Sequence, residues 1–375
     1  MKTALSLAAL MFATATGTAF AQDMVEMNVS TFVPENHPLA KYSYTQWLPR
    51  LKEASGDTVE GKLFSSASLL AAAANLSGLR DGVVQVAFVA GTYTPADLPE
   101  DNTLAQLSFN LSDAYAAAFA LTEANFVIPE LQEQWKRSDV VYMGGYSTPT
   151  YNMICKDQVT TLDAIKGKKV RAPGAAYSDW IESVGAVPVN VPTSEMYSGL
   201  DKDILDCTVV PADEVVSRSL NEVAKTVTMV DLGVYAAGAK YAISKDFWTG
   251  LTNEQRQAFI DTIPQGIIDE LQFYVGQVEK AVASAEELGI TIYEPEADLA
   301  GSVEKHKQAV RGQAIEVGKS RFNLADPEKI VSEFEAIYTK WEKLLDGVDR
   351  SDDAALLNLL DAEIYGKIDP ASYGL

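Results

Sequence analysis

Apolar and polar positions alternate with a period of two in several short runs, and the segments between them repeat with helical spacing, as expected for strands alternating with helices. The clearest case runs from Gly167 to Pro211. Lys169, Val170 and Arg171 alternate charged and apolar side chains, and Ala172-Pro173-Gly174 stops the run. Trp180, Ile181 and Val184 share the apolar face of a short helix that ends at Gly185. Val187 to Val191 forms a second strand, Thr193 and Ser194 are placed to cap the next helix with Glu195 in its first turn, and Leu205 to Val210 forms a third strand closed by Pro211. Strands separated by helices pair in parallel, and ligands of such sheets sit at the carboxyl ends of the strands. Arg171 stands at one of those ends.

The same reading predicts strands at Val25 to Phe32, Thr58 to Phe64, the apolar run from Val83 to Gly91, Val140 to Tyr146, Tyr151 to Cys155, Thr226 to Val230, Tyr235 to Ser244 and Ile290 to Tyr293. Helices are expected from Ala40 to Glu53 with a kink at Pro49, from Ser68 to Asp81, from Ser112 to Ala124, from Pro129 to Arg137 and through the segment after Pro211. Thr252 and Gln255 form a capping box for a helix that should end before Pro264. One long helix is then expected from Gln265 to Leu288, with Ile267, Leu271, Tyr274, Val275, Val278 and Val282 on one face. Asp326-Pro327 opens another, lined by Ile330, Phe334, Ile337, Trp341 and Leu344.

Lys2, an apolar run from Ala4 to Ala13 and Ala19-Phe20-Ala21 read as a secretory leader over residues 1–21, with the mature chain starting at Gln22. That run is too short to span a bilayer, so no membrane insertion is expected. The remaining length, about 350 residues, exceeds what one core usually holds, and two domains are expected. The formal charge of −22 becomes −23 once Lys2 is removed, 29 basic against 52 acidic groups. So acidic a chain repels nucleic acid and anionic lipid, and an anionic ligand needs a locally positive pocket. The only cysteines, Cys155 and Cys207, lie on expected strands of one domain. In an oxidising compartment they either pair or stay free.

The order of residues from Lys169 to Pro211 resembles the solute receptors of tripartite ATP-independent periplasmic (TRAP) transporters. The resemblance is carried by Lys169, Arg171 and Pro173, then Gly185, Ala186 and Pro188, then Pro192, Ser194, Glu195, Tyr197 and Leu200, and lastly Asp206 and Pro211. It extends over the mature chain to about Glu294. It implies an α/β fold of the two-domain periplasmic-binding-protein type, spanned by a long helix. Residues 22–147 with 236–276 would form one domain and 148–235 with 277–375 the other, with the ligand between them. It also implies a periplasmic receptor that delivers a small organic acid to integral-membrane transporter subunits and needs no cofactor. The arginine at position 171 would bind the ligand carboxylate.

A guanidinium matches a carboxylate because its planar fork of donors fits two oxygens at once. The alternative is that Lys166, Lys168, Lys169 and Arg171 form one solvated basic run. The resemblance places Asn36 and His37 in a loop bordering the ligand, although His37 also suits an ordinary turn before proline. Tyr93, in the loop after an apolar strand, is either an aromatic wall or a packing residue. Many relatives carry a second arginine near Thr150 and Glu-Asn where this chain has Val209 and Val210. Their replacement, with Tyr151, Trp180 and Tyr235 expected close to Val210, argues for a monocarboxylate with an apolar or aromatic body. Asp213 and Glu214 read as charges at a helix N-terminus, or as partners for the cationic end of a zwitterion. The two histidines, His37 and His306, are far apart, and no nucleophile elbow, glycine-rich phosphate loop or metal cluster occurs. The chain therefore reads as a binding protein and not an enzyme, with an ABC-type receptor or a secreted hydrolase as alternatives.

Overall fold

The computed structural model describes residues 24–375, so the expected leader lies outside the described residues. Two sheets organise the chain. The first has the order β2-β1-β3-β10-β4, built from β1 (Val25–Ser30), β2 (Val59–Phe64), β3 (Val86–Val89), β4 (Val140–Gly144) and β10 (Ala239–Ser244). The second runs β11-β9-β5-β8-β6-β7, from β5 (Asn152–Cys155), β6 (Lys169–Arg171), β7 (Val187–Val189), β8 (Cys207–Val210), β9 (Thr226–Thr228) and β11 (Thr291–Tyr293). β1 pairs in parallel with β2 and β3, and β6 does so with β7 and β8, as strands separated by helices should. β10 is antiparallel to both of its neighbours because it returns from the other sheet.

The chain passes between the sheets through two antiparallel connections around Thr148 and Tyr235. Thr150 bridges to Val234, Tyr151 N–H donates to the Gly233 carbonyl at 2.8 Å, and Thr148 N–H donates to the Tyr235 carbonyl at 3.0 Å. These few bonds carry the chain across the gap, a geometry suited to hinge motion.

After a short helix, Lys245–Gly250, one long helix, Asn253–Ala283, carries the chain back from β10 to β11. Its 31 residues make it about 46 Å long. The Thr252/Gln255 capping box is formed, but the helix continues through Pro264 where the sequence predicts a stop. Proline in a helix interior costs about 3 kcal/mol, and here Phe259, Ile260, Ile263, Ile267 and Ile268 bury one face of the helix around it. Packing on the first sheet outweighs the local penalty.

Other departures have equally local causes. Pro49 does not kink one helix. Lacking an N–H for the Thr45 carbonyl, it lies in the first turn of a new helix, Trp47–Ala54, and the chain before it widens into a π turn at Lys41–Thr45. The helix expected from Ser68 begins only at Ala72, because Ser66 and Ala67 both take left-handed backbone angles that turn the chain. Beyond Pro211 the helical run breaks at Ser219 for the same reason, leaving a short helix Glu214–Ser217. The C-terminal helix Pro327–Leu345 lies against the helix Ala114–Val127, where Trp341 Nε1 donates to Glu123 at 2.7 Å and the Tyr338 hydroxyl accepts from Ser112 N–H at 2.9 Å. Among the described residues no helix is long and apolar enough to cross a membrane.

Cys155 and Cys207 face each other across the antiparallel pair β5–β8 and are joined by a disulfide. The bridge spans 52 residues, so on the chain-entropy account it removes about 4 kcal/mol of freedom from the unfolded chain. Replacing both cysteines by alanine is expected to lower the urea midpoint, reflecting a loss of about 2–4 kcal/mol, with a slope no smaller than before because the unbridged unfolded chain is more expanded. A midpoint that does not move would show that the bridge leaves stability unaffected.

Candidate functional site

Arg171 ends β6, and its position at the carboxyl end of that strand places it at the gap between the sheets. The side chain is fully buried. Its Nε donates to the Val191 carbonyl at 3.0 Å, Nη1 to the Val209 carbonyl at 3.3 Å, and Nη2 to the Tyr93 hydroxyl at 3.2 Å. Each terminal nitrogen keeps one further N–H. Among the described residues no carboxylate lies within ion-pair distance of it. A buried guanidinium that is hydrogen-bonded but electrically uncompensated is costly by itself and strongly attracts an anion.

The Tyr93 hydroxyl also accepts from Thr193 N–H at 3.2 Å, so its oxygen is occupied twice and its proton is free to be donated. Thr193 does not cap the following helix, and its buried Oγ1 has no partner. Arg171, Tyr93 and Thr193 line one narrow cavity that encloses about 30 Å³. Aromatic rings form its walls. Tyr151 stacks on Tyr235 with centroids 5.9 Å apart, Tyr146 packs edge-on to Phe88 at 4.6 Å, and Phe32 lies between Phe88 and Tyr93. Behind Phe88 and Tyr146 sits the buried Lys240, paired with Glu270 at 3.2 Å, and burial pushes its ammonium down to about 8 despite that pairing.

The far side of the cavity is polar. Glu214 opens the short helix after β8, and Arg218 follows one turn later with its Nε against the Glu214 carboxylate. His37 Nδ1 accepts from Leu39 N–H at 3.2 Å, which leaves the proton on Nε2 to be donated to Glu214 at 3.2 Å, and the Tyr274 hydroxyl donates to the same oxygen at 3.3 Å. Burial alone would raise the Glu214 carboxyl, but Arg218, His37 and Arg171 together overcome it and pull it down to about 2. Burial lowers the His37 imidazole against the pull of Glu214, so the ring is neutral at neutral pH. Asp213 points away, accepts from Ser217, and is pushed well up by burial and by Glu214.

Of the residues singled out from sequence, Arg171, Tyr93, Tyr151 and Tyr235 come together here, and the other four do not. Asn36 lines a separate outer cavity of about 270 Å³ with Lys41 and Lys280. Thr150 faces the opposite side of the hinge, in an open hollow of about 640 Å³ with Tyr115 and Val275. That hollow is larger, but its one lining cation, Arg350, is paired with Asp113 at 2.9 Å, and Asp231 and Glu279 add further negative charge, so it does not suit a carboxylate. Trp180 is buried beneath its helix, with Nε1 donating to Ser302 at 3.3 Å. Val210 packs with Ile154, Leu205 and Ile292 under the second sheet, because alternation along β8 sends its side chain away from the cleft. The carbonyl of Val209, not the side chain of Val210, meets the arginine. Arg218, Phe32, Phe88, Tyr146 and Tyr274 were not legible as site residues, whereas Glu214, read either as a helix-terminal charge or as a partner for a ligand's cationic end, stands in the cavity wall. The usable signal was position: Phe32 and Tyr146 follow strand ends, and Glu214-x-x-x-Arg218 opens a helix after one.

The turns that carry Tyr93 and Tyr235 are pinned together. Asp101 accepts from Gly238 N–H at 2.7 Å, and a Cβ on Gly91 would lie 1.9 Å from its other oxygen. Gly238 has φ +86°, and a Cβ there would lie 2.1 Å from the Val89 carbonyl. Glycine is required at both positions.

Residues 29–316 match the family described as bacterial extracellular solute-binding protein, family 7. A solute-binding protein of Albidiferax ferrireducens is 23% identical over 194 residues, 49% of this chain and 54% of that protein, so the chain spans about half the length of that relative. Among solved structures, a marine metagenome TRAP solute-binding protein specific for aromatic acid ligands, in complex with metahydroxyphenylacetate, superimposes with a TM-score of 0.76. It is 20% identical, over 85% of this chain and 99% of that one. A TRAP solute-binding protein from Rhodoferax ferrireducens with copurified benzoate gives the same TM-score at 19% identity, over 86% and 99%. At these identities the structures establish the two-domain α/β fold.

Asp101 yields a pH prediction. Burial, opposed by the Gly238 N–H and aided by Glu100, raises its carboxyl to about 7. The unfolded chain ionises this group from about pH 4, so between there and pH 7 the folded state holds the extra proton. Stability should therefore fall as pH rises through that window, by up to about 4 kcal/mol, and level off above it. Asp101→Asn, which keeps an oxygen for Gly238, is expected to remove that slope in urea melts at successive pH values. An unchanged slope would show that Asp101 is not its source.

Proposed function

The chain belongs to bacterial extracellular solute-binding protein family 7, the family of TRAP solute receptors, and from that premise we propose that its cleft binds a small organic monocarboxylate with an apolar or aromatic body. The observation that carries this reading is the buried, counter-ion-free Arg171. Its two remaining N–H groups, the free proton of Tyr93 and the unpartnered Thr193 hydroxyl offer donors where a carboxylate would sit. The aromatic walls supply stacking and edge contacts for a ring and few hydroxyl partners for a polyhydroxylated sugar acid. The aromatic-acid specificity and copurified benzoate of the two structural relatives agree with this chemistry.

In this reading the two sheets with their helices are lobes that part at the connections around Thr148 and Tyr235 and close on the ligand. Closure is favoured because only the closed form touches the ligand from both sides. Tyr93 comes from the first sheet's side and Arg171 from the second, so their contact exists only when the lobes meet. The ligand would then pass to integral-membrane subunits of the transporter, with export to the periplasm by the leader at residues 1–21. The receptor carries out no reaction and needs no cofactor.

Isothermal titration of the mature protein with benzoate, phenylacetate, succinate and a sialic-acid-type sugar acid tests the ligand class. Binding is expected for the first two, and tight binding of succinate or the sugar acid alone would overturn the proposal. Arg171→Ala is expected to weaken binding about 100-fold or more, since it removes one member of a desolvated charge pair. Arg171→Lys should recover little, because a point charge cannot reproduce the fork. Tyr93→Phe should cost about tenfold, the loss of one hydrogen bond to a charged group. Affinity unchanged by all three substitutions would place the carboxylate elsewhere.

A further inference from the structure

We propose that Glu214 and Arg218 form a second recognition pole in the same cavity, built for a hydroxyl on the body of the ligand, so that hydroxylated aromatic monocarboxylates are the preferred class. This rests on the carboxylate reading of Arg171. Both side chains line the cavity and are nearly fully buried, at 3% and 7% exposure. They differ from Arg171 in one decisive way. The charge of Arg218 is cancelled by Glu214, whereas Arg171 has no carboxylate beside it among the described residues.

Hydrogen-bond capacity then defines what fits. Arg218 Nε faces Glu214, and its terminal nitrogens have no acceptor among the described residues. Glu214 Oε1 is taken by His37 and Tyr274, and the carboxylate is held ionised, so it only accepts. A donor and an acceptor thus stand side by side with no net charge. A hydroxyl satisfies both at once: its oxygen accepts from Arg218 and its proton goes to Glu214. A second carboxylate would gain from Arg218 but be repelled by Glu214, and an ammonium would meet the reverse. A bare hydrocarbon edge would leave the Arg218 N–H groups unmatched in a closed site, which is unfavourable.

Matched pairs of acids test this on the unaltered protein: benzoate against its 2-, 3- and 4-hydroxy derivatives, and phenylacetate against its ring-hydroxylated forms, by isothermal titration. At least one ring position should gain about tenfold or more in affinity from the hydroxyl, as expected for hydrogen bonds to charged groups. Glu214→Gln should reduce that hydroxyl-to-hydrogen ratio to within about twofold whatever it does to absolute affinity. Ratios near one at every position in the unaltered protein would overturn the second pole while leaving the Arg171 reading intact, and so would a large ratio that survives the substitution. Failure of every acid, hydroxylated or plain, overturns both. Should Glu214→Gln lack a cooperative melting transition, the ratios of the unaltered protein decide alone.

Discussion

Taking a guanidinium out of water without giving it a carboxylate is the constraint from which the rest of the site follows. Arg171 is fully buried, and its protein partners are two backbone carbonyls and a phenol. Such partners satisfy direction but not charge, so the site is stable enough to fold and still favours an incoming anion. An internal carboxylate would remove the deficit and with it the affinity. The wider molecule sharpens the effect, because a chain carrying −22 repels anions everywhere else.

Holding that uncompensated charge requires two sheets that meet but are not fused. β6 delivers the arginine from one side and the turn after β3 delivers Tyr93 from the other. Between them the connections at Thr148 and Tyr235 place Tyr151 and Tyr235 as stacked walls at the hinge itself. Rings at that position are stiff, with few rotatable bonds, and so lose little freedom on gripping a ligand. Asp101 fixes the neighbouring turns by occupying a space that only glycine at position 91 leaves open. The parts of the site fixed by hydrogen bonds and close packing are therefore local.

Much of the fold was legible because strand and helix periods differ so clearly in this chain. The parallel core from Lys169 to Val210 and the capping box at Thr252 follow from local chemistry alone. What was not legible depends on long-range packing. Pro264 sits inside a helix because the first sheet buries the residues around it, and no local rule contains that information. The resemblance puts Val210 at the cleft with Trp180 beside it, but each belongs to an element face that points elsewhere. Arg171 and Tyr93 stood out because they end strands or follow them. Glu214 stands just as near the end of β8 and belongs to the cavity wall, but its helix-terminal position explained it equally well, and nothing local decides between the two.

The absence of a second arginine near Thr150 suggested a singly charged ligand, yet the cavity does contain a second arginine, Arg218, supplied from a different element. The inference survives for a different reason. What sets the charge a closed site accepts is its net balance, not its number of cations. Glu214 cancels Arg218, His37 is neutral and Lys240 is committed to Glu270 behind the aromatic wall, so Arg171 alone remains to be neutralised. One positive charge against an aromatic enclosure calls for one carboxylate on an apolar body. A dianion would have to leave its second charge beside Glu214, whose repulsion offsets the attraction of Arg218, so that charge would be desolvated with no net compensation.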